Sequence, residues 1–263
     1  MKVSFFVTCI VDAVLTSVGI SSVNLLEKLG CTVVFNTKQT CCGQPLSNTG
    51  YVEKAKKSMR LLINALLEED CEYVVAPSGS CVLQVKEFPK FFKNDPEWLP
   101  KAEQLATKTW EITDFIVNVL GVTDLGASLN GRAAYHPSCH MTRLLGVKEP
   151  PLALLKNVSG LELVPFEGQD KCCGFGGTFS VKMADLSGAM VEEKVRNIAA
   201  ANVDYLIGAD GACLMNIQGC IEKQRHDIKV LHIVEVLDMN GELTSAELTS
   251  NSVTENAATG VEE

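Results

Sequence analysis

Eleven cysteines in 263 residues are the groups with the most chemistry to offer in this chain, and they are not scattered. Two adjacent pairs, Cys41-Cys42 in QTCCGQP and Cys172-Cys173 in DKCCGFGG, are each followed by glycine. Single cysteines flank each pair: Cys9 and Cys81 around the first, Cys139 and Cys213 around the second. Four thiols per set suit an iron–sulfur cluster or zinc, the metals that soft thiolate ligands select. Structural zinc usually draws on close C-x2-C knuckles. Here two thiols are adjacent and the others lie some 30 to 40 positions away. Neighbouring side chains diverge, so they reach different metals of a polynuclear cluster more naturally than one small ion. Gly43 and Gly174 lack a Cβ, which lets the backbone close around a bulky cluster and donate N–H bonds to sulfur.

The elements that must position these thiols occur in two copies. Cys9 aligns with Cys139, Cys41-Cys42 with Cys172-Cys173, and Cys81 with Cys213, at offsets of 130, 131 and 132 residues. The neighbourhoods agree too, as in Glu72-Tyr73-Val74-Val75-Ala76 against Asp204-Tyr205-Leu206-Ile207-Gly208. An internal duplication is the reading. Each copy reads βαβαβα. In the first, strands are expected at 3–7, 32–35 and 73–76, with helices at 11–29 and 51–67. In the second, strands are expected at 133–136, 162–164 and 205–208, a helix near 181–200, and a further strand at 229–232. Alternation of this kind predicts an α/β fold: two duplicated Rossmann-like units, parallel sheets flanked by helices, related by a pseudo-twofold. The boundaries are a first unit over 1–93, a linking helix and loop over 94–130, a second unit over 131–239 and a disordered tail over 240–263. The linking helix is expected at 96–120, opened by Asn94-Asp95-Pro96. All eight cysteines of the two sets then fall just beyond the carboxyl ends of parallel strands, where open α/β sheets bind ligands. Cys31 and Cys71 fall at the opposite edge and read as buried small hydrophobes. Cys220, seven residues past Cys213, has at most a minor role.

Net charge is −9 and the sequence pI ≈ 5.1. That balance argues against nucleic acid or an anionic membrane as partner. Asp12 interrupts the apolar run of MKVSFFVTCIVDAVL, so the N-terminus reads as a first strand rather than an export signal. No run approaches 18 apolar residues, so no transmembrane segment is expected. Without export, the cysteines meet a reducing compartment and stay thiols. Gly174-Phe175-Gly176-Gly177 is not a nucleotide loop, because it lacks the G-x-G-x-x-G spacing and follows two cysteines. His136, His140 and His232 stand near the second set, as hydrogen-bonded structural residues in the simpler reading and as ligands or proton donors in the sharper one. Arg143 and Lys182 lie there as well, to offset cluster charge or to form salt bridges.

Several motifs carry a resemblance to a known family. They are Phe6-Val7-Thr8-Cys9, Cys41-Cys42-Gly43-Gln44-Pro45, Ala76-Pro77-Ser78-Gly79-Ser80-Cys81, Ser138-Cys139-His140-Met141-Thr142-Arg143, and Cys172-Cys173-Gly174-Phe175-Gly176-Gly177. Over residues 1 to about 239 the chain resembles the CCG cysteine-rich family, closest to its lactate-utilisation protein A type. The heterodisulfide reductase B subunit and the iron–sulfur subunits of glycolate oxidase and anaerobic glycerol-3-phosphate dehydrogenase belong to the same family. The resemblance implies a cytoplasmic, three-subunit L-lactate-oxidising complex, with a ferredoxin-type iron–sulfur protein and a third subunit as partners. It further implies an electron-relay role for this chain. Cys9, Cys41, Cys42, Cys81, Cys139, Cys172, Cys173 and Cys213 would hold one or two [4Fe–4S] clusters, with Gly43 and Gly174 beside them. Two departures stand out. Family members carry a C-x-x-C pair at the end of each unit, whereas Ser78 and Asp210 occupy its first position here. That leaves four thiolates per site, which favours an ordinary cubane over a noncubane cluster. The alternatives are a heterodisulfide-reductase-like catalyst acting on a thiol or disulfide, a subunit of a glycolate or glycerol-3-phosphate oxidising complex, and a zinc-stabilised interaction module.

Overall fold

The computed structural model describes residues 1–239; the tail expected over 240–263 lies outside the described residues. The first half of the chain runs through β1 (Lys2–Phe5), α1 (Cys9–Val14), α2 (Thr16–Lys28), β2 (Thr32–Val34), α3 (Val52–Leu67), β3 (Tyr73–Ala76), α4 (Gly79–Lys86), α5 (Leu99–Lys108) and β4 (Thr109–Glu111). Its four strands are all parallel, in the order β2-β1-β3-β4. The second half repeats the scheme with β5 (Ser128–His136), α6 (Glu149–Lys156), β6 (Ser159–Leu163), α7 (Ala184–Ala200), β7 (Tyr205–Gly208), α8 (Gly211–Gln224), β8 (Lys229–His232) and α9 (Ile233–Asp238). Its sheet is again parallel, in the order β6-β5-β7-β8. The registers correspond: Val3 faces Tyr73 as Ala133 faces Tyr205. The chain is therefore an α/β protein of two like units.

Each sheet is buried on both faces, as parallel strands joined by helical crossovers must be. The period-two alternation of a strand divides its side chains between two cores. Val3, Phe5 and Val75 point into a shared core with Ile207, Leu231, Ile233 and Val234 of the second unit. Phe6, Val74 and Ala76 point the other way, under α3, where Ala55, Met59, Leu62, Ile63 and Leu66 recur at helical spacing. Ala134 and Leu206 do the same in the second unit, under α7 and α8. At roughly 1.5–3 kcal/mol for each large apolar side chain removed from water, the shared core binds the two units into one body.

The contacts between the units are reciprocal. α4 of the first unit packs on the π-helical turn His140–Leu145 of the second, and α8 of the second packs on α1 of the first. Glycine permits both approaches. A Cβ on Gly79 would lie 2.6 Å from Met141 Cβ, and one on Gly211 would lie 2.6 Å from Leu15 Cδ1. At the centre Ser78 and Asp210, equivalent residues of the two copies, pair as an isolated antiparallel bridge.

Two elements differ from the expectation. The stretch 96–120 is not one linking helix. Asp95 caps a turn by accepting from the N–H groups of Glu97 and Trp98, both at 3.2 Å, and α5 begins only at Leu99. Thr109–Glu111 then extends the first sheet as β4, pairing with Val74–Ala76. The apolar spacing continues smoothly through this segment, which hid the strand. The fully buried Thr109 and Glu111 show that sheet pairing outweighs helix continuation there. Second, the helix expected over 11–29 breaks at Leu15 (φ −125°, ψ 50°), whose side chain meets Gly211 of the other unit. Among the described residues no helix is long and apolar enough to cross a membrane.

Candidate metal centre

Three connections build each thiol quartet, all at the carboxyl edge of the sheet. In the first unit β1 ends at Phe5. The chain then turns through Thr8, which takes the rare φ of 68°, and α1 opens on Cys9. After β2 the loop carries Cys41 and Cys42 and reverses at Gly43 (φ 83°). After β3, α4 places Cys81 in its first turn, with Ser78 Oγ accepting from the Cys81 N–H at 3.4 Å. The second unit repeats this with Cys139 after β5, Cys172 and Cys173 before Gly174 (φ 83°), and Cys213 in the first turn of α8.

Sulfur meets sulfur within the first quartet: Cys9 Sγ to Cys41 Sγ is 3.7 Å and Cys42 Sγ to Cys81 Sγ is 3.8 Å. The Gly43 N–H donates to Cys41 Sγ at 3.5 Å, and the Gly174 N–H to Cys172 Sγ at 3.4 Å. All eight thiols line a single cavity of ≈ 90 Å³ between the units. Its walls include Ile10, Pro45 and Phe175. A Cβ on Gly177 would lie 3.8 Å from Pro45 Cα, so the two Cys-Cys-Gly loops border one another.

The glycines act differently from the sequence expectation in one respect. Their N–H groups do reach sulfur. The space a Cβ would fill, however, lies against a helix: 3.2 Å from the Ala55 carbonyl oxygen at Gly43 and 2.8 Å from that of Ser187 at Gly174. The positive φ and the helix backbone, rather than the cavity, demand glycine here.

The thiols do not ionise alike. Hydrogen bonds from the Cys42 and Cys9 thiols, with the Gly43 N–H, pull Cys41 down to about 3 against the opposing effect of burial. Cys172 falls to about 2 by hydrogen bonds from Cys139 and Cys173 and from the Gly174 N–H. Cys9, Cys42, Cys139 and Cys173 are pushed up, first by holding their protons in these bonds and then by burial. In each quartet the first thiol of the adjacent pair is therefore the one biased toward the thiolate form. Such a donor set fits a thiophilic metal centre.

The remaining sequence candidates separate clearly. Cys31, Cys71 and Cys220 are buried away from the cavity, and Cys220 accepts from Gln224 Nε2 at 3.5 Å. His232 is structural: its Nδ1 accepts from the Val234 N–H, which leaves Nε2 to donate to the Pro77 carbonyl at 3.1 Å. His140 lies 3.7 Å from Cys139 Sγ through Nδ1 and lines the cavity. Arg143 donates to the Asp170 carbonyl at 2.6 Å, and Lys182 sits over the Tyr51 ring. Ser78 and Asp210, where the resemblance leads one to expect cysteines, bond to each other at 3.3 Å. Asp210 Oδ2 also accepts from the Ser80 N–H at 2.9 Å, while its Oδ1 is buried without a hydrogen-bond partner. His136 forms, with Cys173 and Cys213, a buried group whose ligand atoms all lie within 4.8 Å of one another. Lys194, buried on α7 near the second quartet, escaped the sequence reading; aligning the two copies would have placed it opposite Leu62.

Comparison with known proteins agrees with this layout. The cysteine-rich domain family designated CCG matches residues 3–86 and 133–218. Curated relatives titled lactate utilization protein A are similar along nearly their whole length. That of Geobacillus sp. (strain WCH70) is 57% identical over 238 residues, covering 90% of this chain and 99% of the relative. That of Bacillus subtilis (strain 168) is 55% identical over the same shares. A crystal structure of a hypothetical protein from Helicobacter pylori superposes with a TM-score of 0.68 at 11% identity. The match spans 94% of this chain and half of that one, a likeness of fold.

Proposed function

This chain belongs to the CCG cysteine-rich family, in its lactate utilization protein A type, and on that premise we propose that it is an iron–sulfur electron carrier in the oxidation of lactate to pyruvate. Cys9, Cys41, Cys42 and Cys81 hold one [4Fe–4S] cluster in this reading, and Cys139, Cys172, Cys173 and Cys213 a second. Bound there, a cluster supplies reversible one-electron chemistry. The chain's own residues do the rest. Cys41 and Cys172 are the thiols whose hydrogen bonds favour the thiolate form. The Gly43 and Gly174 N–H groups bond to sulfur. Ile10 and Phe175 give the cavity an apolar wall. The observation that carries the reading is the meeting of eight thiols in two like quartets at one cavity. Flavin or nicotinamide motifs are not evident in the sequence, so the reading includes partner subunits that take up the lactate electrons and pass them on.

A second reading has one observation in its favour. The cavity between the quartets, at ≈ 90 Å³, has room for several waters at roughly 10–15 Å³ each, and all eight thiols line it, which suits exchange with a small thiol or disulfide. Two experiments separate them. Cells lacking this chain should regain growth on lactate with the wild type but not with Cys42→Ala or Cys173→Ala, and the tagged chain should recover a ferredoxin-type iron–sulfur protein. Growth restored by both cysteine variants would sink the first reading. Stoichiometric consumption of a small disulfide by the pre-reduced protein would favour the second.

A further inference from the structure

The two copies differ where they touch their quartets. The sheet registers make Phe6 and His136 equivalent, each three residues before the first cysteine of its set. The close approaches of Gly43 to Ala55 and of Gly174 to Ser187 align α3 with α7, which makes Leu62 and Lys194 equivalent. Phe6 and Leu62 are 1% and 0% exposed, and both sit in the apolar core beneath the first quartet. His136 and Lys194 are 1% and 2% exposed, in the same places beside the second. A duplicated site has thus exchanged two buried apolar side chains for an imidazole and an ammonium.

Burying such groups is costly unless something nearby answers them. Neither ring nitrogen of His136 has a hydrogen-bond partner, yet Cys173 and Cys213 lie within reach of the ring. An imidazole keeps at least one N–H in either protonation state. Lys194 Nζ donates to two carbonyls, Gly168 at 3.1 Å and Gln169 at 3.2 Å, and lies 5.2 Å from the Phe166 ring centre. Burial lowers the basicity of Lys194, and its neighbours Cys173, Cys213, Cys172 and Asp170 counter that effect. Asp210 extends the asymmetry, because its carboxylate lies on the Ser80 N–H, beside Cys81 of the first quartet.

We propose that His136 and Lys194 give the second quartet's cluster a higher reduction potential than the first's. The inference rests on the reading that both quartets hold iron–sulfur clusters. Reduction adds one negative charge to a site, and a nearby buried cation and an unpaired imidazole N–H beside the ligand sulfurs both stabilise that charge. The first quartet has Phe6 and Leu62 in those places and the Asp210 carboxylate near its third connection.

The test is an EPR-monitored potentiometric titration of the anaerobically reconstituted full chain, with iron and sulfide measured on the same samples. Cys42→Ala/Cys81→Ala leaves the second quartet alone, and Cys173→Ala/Cys213→Ala leaves the first, so each midpoint is assigned. The second quartet's midpoint should be the higher of the two. His136→Phe and Lys194→Met should each shift it downward at full iron content, and Lys194→Arg, which keeps the charge, should hold it in place. The proposal is overturned if the first quartet titrates higher. It is equally overturned if both variants load fully and move nothing. The quartet-deletion pair tests the order even where a His136 or Lys194 variant loads poorly. Wild-type protein that takes up no iron or sulfide defeats the functional reading itself, a result separate from a wrong order of potentials.

Discussion

Replacing the glycine of each Cys-Cys-Gly loop by alanine separates backbone conformation from packing, because the two positions share one and differ in the other. Both residues hold φ 83°. An L-residue with a Cβ pays roughly 1–2 kcal/mol for that left-handed conformation, so Gly43→Ala and Gly174→Ala begin with the same cost. At Gly43 the new Cβ lies 3.2 Å from the Ala55 carbonyl oxygen, a contact relieved by a few tenths of an ångström. At Gly174 it lies 2.8 Å from the Ser187 carbonyl oxygen and 3.2 Å from Met190 Cβ. The Ser187 carbonyl belongs to α7 and cannot rotate away, so the loop or the helix must shift, at about 1–3 kcal/mol more. Expected losses are about 1–2 kcal/mol for Gly43→Ala and about 2–5 kcal/mol for Gly174→Ala. Urea unfolding of the reduced, chelator-treated chain reads both without metal binding. Equal midpoints for the two variants, or the larger loss at Gly43, would refute the reasoning.

Other consequences can be measured as directly. Burial lifts Glu111 to about 8 against an ordinary 4.5, with hydrogen bonds from Thr113 and Asp114 opposing. Between those values the native state keeps a proton that the unfolded chain releases, so stability should fall as pH rises from about 4.5 to about 8, by at most about 1.4 kcal/mol per pH unit. Glu111→Gln should flatten that slope in unfolding curves taken across the range; an unchanged slope would show that Glu111 is not its source. Ser78→Ala removes a helix cap and the bond to Asp210, and should cost about 1 kcal/mol in the same assay. No measurable loss would mean that the Ser78–Asp210 bridge does not help join the units.

Much of this arrangement was legible because duplication writes each feature twice. The eight cysteines fall at strand ends in both copies, and strands such as 73–76 and 205–208 appear where their β-branched runs predict. What escaped depended on contacts between distant segments. β4 is three residues long within a helical rhythm, and only its pairing with β3 reveals it. The break at Leu15 comes from packing against Gly211 of the other copy. Ser78 and Asp210 looked like lost ligands, and the fold shows them bonded to each other across the unit boundary. Lys194 hides on a helix whose charged residues otherwise face water, and its burial becomes visible only when α7 is laid against the sheet.

The most direct test of the central claim is the iron and acid-labile sulfide content of the anaerobically reconstituted chain, read with EPR of its reduced form. About four iron and four sulfide per quartet are expected, with Cys42→Ala and Cys173→Ala each removing one quartet's share. Zinc without iron or sulfide in both quartets would contradict it.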